Sequence, residues 1–128
     1  MSEKLASRHA LDNGLSLEFW DLSRPAAGDR WQVDLEARIR VPIIAAHLPP
    51  DLHPSLEEVV KALGPEITFS QKDSRNFVAI TEVAEIVKEI EERFLSDLSP
   101  YLGHRSFPGR FIRKTYTEYQ KKRRWRHS

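Results

Sequence analysis

Between residues 31 and 41 apolar and polar residues alternate without a break. Trp31, Val33, Leu35, Ala37, Ile39 and Val41 are separated by Gln32, Asp34, Glu36, Arg38 and Arg40. Successive side chains of a strand point to opposite faces, so this period of two predicts one long strand with a dry face and a wet face. A slip of one residue would bury the polar set, which pins the register. A shorter alternation precedes it, Leu15, Leu17 and Phe19 against Ser16 and Glu18, opened by the turn signal Asn13-Gly14. Trp20 and Leu22 on the other side of that strand predict partial cover on both faces. Residues 23–30 are rich in Pro, Gly and polar side chains and read as a loop. That loop is too short for a helical crossover, so the two strands are expected to pair antiparallel. Residues 1–13 show no clear period and read as a loose or short helical lead-in.

Further along, Pro42, Pro49, Pro50 and Pro54 mark an irregular connection. Ser55-Leu56-Glu57-Glu58 has the spacing of a capping box, predicting a short helix that ends at Gly64-Pro65. Ile67, Phe69 and Gln71 alternate with Thr68 and Ser70 as a third strand, Asp73 to Asn76 read as a turn, and residues 77–80 read as a fourth, short strand or equally as the beginning of the next helix. Thr81 is then a candidate N-cap for a helix whose apolar stripe is Val83, Ile86, Val87, Ile90, Phe94 and Leu98. Glu89, Glu91 and Glu92 fall with its solvated face, and Ser99-Pro100 is expected to stop it. For residues 110–119 the stripe Phe111, Ile112, Thr115, Tyr116 and Tyr119 favours helix, while the Thr, Tyr and Ile content favours strand. The good helix formers of 120–126 tip the reading to helix.

These elements predict one α+β domain spanning residues 1–128. A small, mainly antiparallel sheet of three to four strands would carry two to three helices packed on one face. The opposite face is expected either to stay wet or to pair with a second subunit as a homo-oligomer, the latter favoured if Trp20 or Leu22 is exposed.

Composition narrows the chemistry. With 40% hydrophobic and 30% charged residues the chain can build a core under a solvated surface. It has no cysteine, which excludes disulfides, thiolate zinc, iron–sulfur clusters and a cysteine nucleophile. The first residues lack the apolar stretch of a secretory leader, and Ile43-Ile44-Ala45-Ala46 is far short of the roughly 20 residues of a membrane span, so a cytoplasmic protein without membrane partners is expected. The net charge of +1 conceals a strong polarity. Residues 110–128 hold eight Lys/Arg and one acid, Glu118, for +7; residues 1–109 hold twelve Lys/Arg and eighteen acids, for −6.

Two segments carry candidate chemistry. In the basic one, Arg113, Lys114, Lys121, Lys122, Arg123, Arg124 and Arg126 could displace counterions from an anionic partner while Trp125, Tyr119 and Tyr116 stack on exposed bases. The same cations also suit a helix C-terminus, or could lie against an acidic helix of the chain itself. In the loop from Asp21 to Trp31, Arg24 and Arg30 beside Asp29 could clamp a carboxylate or phosphate. That loop could equally be a structured strand connection in which Asp21 or Ser23 caps a turn and Asp29 pairs with Arg24 or Arg30. His47 and His53 flank Asp51 without the spacing of a zinc helix, and His9, His104 and His127 are scattered, so no metal is expected. There is no Gly-x-Ser-x-Gly elbow and no phosphate-cradling glycine loop, and no cofactor is expected.

The sequence therefore points to a small non-catalytic binding or assembly module whose basic C-terminal segment contacts nucleic acid or an acidic protein surface. The alternative is a small enzyme, or an anion-binding protein, that uses the 21–31 loop.

Overall fold

The computed structural model describes residues 3–127, the last two by backbone alone. Five strands and three helices follow one another: β1 (Lys4–Ala10), β2 (Ser16–Asp21), β3 (Arg24–Ala27), β4 (Arg30–Pro42), α1 (Leu56–Leu63), β5 (Glu66–Ala79), α2 (Val83–Leu102) and α3 (Phe107–His127). The fold is α+β with a mainly antiparallel sheet. The chain divides into two compact units, Met1–Ile39 with Ser70–Gly103, and Arg40–Phe69 with His104–Ser128.

In the first unit β4 lies between its partners, and its alternation buries one face, although Asp34 on the other face is buried as well. Val33, Leu35, Ala37 and Ile39 are completely buried, together with Leu17 and Phe19 from β2, which pairs antiparallel with β4. Helix α2 covers this dry face: Ile90, Phe94 and Leu102 are buried, and the Phe94 ring meets Phe19 at 5.8 Å. The Asn13-Gly14 turn, with Gly14 at φ +87°, ties the end of α2 in place, because the Asn13 amide donates to the Leu102 carbonyl at 2.8 Å.

Several local expectations are corrected. Residues 4–10 are a strand, not a helical lead-in, and pair antiparallel with β2 around a bulge between Leu5 and Ser7. The pattern hid this because the core-facing positions of β1 are polar: Ser7 donates to Glu91 of α2, and His9 stands edge-on to Phe19 at 5.6 Å. Glu91 therefore faces the sheet and not solvent. Within 23–30 the chain forms β3, and only Gly28-Asp29 turns it, with Gly28 at φ +58°. Residues 73–76 do not turn. Ser74 donates to Asp34 and the Ile80 amide to the Asp29 carbonyl at 3.0 Å, which sets β5 antiparallel to β4. Phe77, at φ +55°, bends this strand locally. Thr81 lies in a single 3-10 turn before α2, not at its cap. Pro100 stands inside the last turn of α2, where its missing N–H forfeits one hydrogen bond while burial of Leu102 rewards continuation.

The second unit gathers Val41, Ile43, Leu48, Val59, Phe107 and Ile112 into its own core. The proline-rich connection forms two 3-10 turns, Ala45–His47 and Pro50–Ser55, the second running straight into α1. Ser55 consequently has no extended N-cap geometry (φ −100°, ψ 13°) and makes no side-chain cap, so the capping box does not form although the helix does. Gly64, at φ +90°, ends it as expected. Helix α3 roots itself with Phe107 and Phe111, stacked at 5.8 Å and both met edge-on by Phe69. Gly109 lets its first turn approach the 3-10 segment, where an added Cβ would stand 3.2 Å from the His47 carbonyl.

Candidate functional site

In the second unit, α1 and the distal half of α3 enclose a groove of about 1120 Å3. Helix α1 lines it with Glu58, Lys61 and Ala62, spaced so that one helical face meets the groove. Helix α3 contributes Tyr116, Tyr119 and Gln120, with Lys122, Arg123 and Arg124 at the far end. Four cations thus face a single carboxylate. The Tyr116 and Tyr119 rings are half-buried and lie nearly parallel, 8° between planes and 6.4 Å between centroids.

The α3 cations are open to solvent because the packed side chains of the helix lie in its first turns. Phe107 and Ile112 are buried, whereas every residue from Gln120 to Trp125 is exposed. Among the described residues, Lys114, Lys121, Lys122, Arg123 and Arg124 make no ion pair. Arg113 differs: both its terminal nitrogens reach the Asp51 carboxylate, which holds the Asp51 carboxyl below its ordinary range. The cluster read from sequence is therefore brought together at Lys122, Arg123 and Arg124, while Arg113 is engaged inside its unit. Trp125 is 84% exposed at the helix end, and the Arg126 side chain lies outside the described residues. The α1 wall (Glu58, Lys61 and Ala62) carries no binding signal in the sequence, where Glu58 reads only as part of a capping box, because nothing in a local pattern tells which distant helix will face α3.

The 21–31 segment is held by internal bonds. The Asp21 carboxylate accepts from the Ser23 amide at 2.9 Å, Arg24 donates to Asp34 at 3.0 Å, and Arg30 lies 3.7 Å from Asp29. A second cavity in the first unit, an apolar notch of about 500 Å3, touches the segment's ends at Asp21 and Trp31, but Arg24, Asp29 and Arg30 do not line it. His47 and His53 each bond a backbone carbonyl, of Pro42 and Leu48. Among the described residues no three His, Asp or Glu side chains gather as a metal site would require, and no helix is long and apolar enough to cross a membrane.

Asp34 is the most consequential charge on the wet face of the sheet. It is 4% exposed and receives Arg24, Gln32 and Ser74. Burial pushes its carboxyl up, but the hydrogen bonds from Ser74 and Gln32 and the charges of Lys72 and Arg24 outweigh burial and hold it below its ordinary value. Asp34→Asn is expected to cost about 1.5–3 kcal/mol at neutral pH, as loss of hydrogen bonds to a charged group does. A carboxyl lowered by folding stabilises fully above its unfolded pKa of about 4 and loses that contribution as pH falls through the lower folded value. Urea midpoints of the two proteins should therefore differ at pH 7 and at pH 5 and converge below about pH 4. A gap that stays constant into acid would show that the charge of Asp34 contributes nothing.

Arg38 knits the rest of that face together. It pairs with Glu3 at 2.8 Å and with Glu36, and its guanidinium lies 5.0 Å over the Trp20 ring, whose indole N–H donates to Glu18 at 3.1 Å. No known protein family, curated protein or solved structure matches this chain.

Proposed function

We propose that the protein is a non-catalytic binding module that holds an anionic partner on the groove between α1 and α3. One observation carries this reading: Lys122, Arg123 and Arg124 all line the groove, exposed and without ion pairs among the described residues. Cations left unpaired by their own chain keep their full attraction for an outside anion, whereas a self-neutralised segment would have to surrender internal pairs first.

The test is binding of a labelled polyanion, such as heparin, at two salt concentrations. Four cation contacts predict a loss of affinity of roughly 50- to 150-fold between 50 and 200 mM salt. Replacing Lys121, Lys122, Arg123 and Arg124 by glutamine preserves helix propensity and should weaken binding at least tenfold at low salt, with a much flatter salt response. Failure of the unaltered protein to bind at 50 mM salt, or equal binding by the variant, would remove the proposal's basis.

A further inference from the structure

We infer that the anion taken by this groove is a single-stranded nucleic acid; the inference rests on the binding reading above and names its partner. The groove offers two chemistries side by side. Lys61, Lys122, Arg123 and Arg124 supply charge, and Tyr116 and Tyr119 supply two nearly parallel ring faces at half-exposed positions. Carboxylates of an acidic protein would answer the cations and leave the ring faces without a counterpart. Unstacked bases answer both, since every base has a π-face and every nucleotide brings a phosphate.

Helical spacing places the two chemistries in register. Tyr116, Tyr119 and Arg123 follow one another at i, i+3 and i+7, and so lie along a single face of α3. From Tyr116 to Arg124 the helix rises about 12 Å, the length of three or four bases stacked at about 3.4 Å. A strand running along α3 would set bases on the tyrosines and its backbone among the cations at the far end, with Lys61 reaching it from α1. A duplex keeps its bases stacked on each other and has no free face to give the tyrosines, so single strands are the preferred form.

The decisive experiment titrates the full chain with four labelled polyanions at one low salt concentration: oligo-dT, oligo-U, a DNA duplex of equal length, and polyglutamate. Both single strands should bind more tightly than the duplex and polyglutamate. The double variant Tyr116→Leu, Tyr119→Leu, which keeps every charge, should lose at least tenfold in affinity for the single strands and little for polyglutamate. Tyr116→Phe with Tyr119→Phe, which keeps both rings, should bind the single strands within about twofold of the unaltered protein, showing that a loss in the leucine variant comes from the ring faces. Polyglutamate binding as tight as oligo-dT assigns the groove to an acidic protein and overturns the inference, as do equal duplex binding or an indifferent leucine variant. If no polyanion binds at all, the underlying proposal of an anion site fails with it.

Discussion

Phe19→Ala is expected to destabilise the first unit by about 3–5 kcal/mol, read as a lowered urea midpoint with an unchanged denaturant slope. Phe19 is completely buried, meets Phe94 at 5.8 Å and takes the His9 ring edge-on at 5.6 Å. Its partner across the β2–β4 ladder is Ala37, the smallest side chain of that dry face. Truncation would therefore leave alanine opposite alanine across the ladder. The surrounding strands are fixed by hydrogen bonds on both edges of β2, which limits collapse and keeps the cavity cost high. Against a total stability of about 5–15 kcal/mol, such a loss is a large fraction of what keeps the unit folded. Phe19→Leu, which retains most of the volume, should cost about half as much or less. If alanine cost under about 1 kcal/mol, the contact between β2 and α2 would not be the centre of that core.

The same residues show why parts of this fold can be read from sequence and others cannot. Strand β4 was legible because burial of one face forces an alternation that no other element mimics. Strand β1 was not, because the side chains it turns toward the core are Ser7 and His9, polar groups that bond to each other while Ser7 donates to Glu91. Asp73-Ser74-Arg75-Asn76 has the composition of a turn, yet it lies within β5, where Ser74 completes the shell around Asp34. Turn propensity is local, and a partner forty residues away overrode it. Pro100 fails as a stop signal for a related reason: one lost hydrogen bond in the last turn is cheaper than exposing Leu102. In the groove, the cations and both tyrosines were visible as a pattern along α3. Their opposite wall was not, since Lys61 gains its meaning only from the packing of α1.

Phe107→Ala is expected to cost about 3–5 kcal/mol in the second unit, with a loss of helical signal larger than one residue explains. Phe107 is 2% exposed, stacked on Phe111 and met edge-on by Phe69 at 5.6 Å. These rings are the root of α3, and the exposed half of the helix depends on them more than on itself. Lys121, Lys122, Arg123 and Arg124 are adjacent like charges, and an isolated helix shorter than about 12–15 residues is marginal in water even with better sequences. Loosening the root should therefore fray the segment that carries the groove's cations. Binding of a polyanion should weaken together with helicity, although no substituted atom lies in the groove. A bound polyanion offsets the repulsion among the four cations and stabilises only the folded arrangement, so adding one should restore part of the lost helix. Full helicity in the alanine variant would mean that α3 is stable by its own sequence, and the anchoring role assigned to the aromatic cluster would then be wrong.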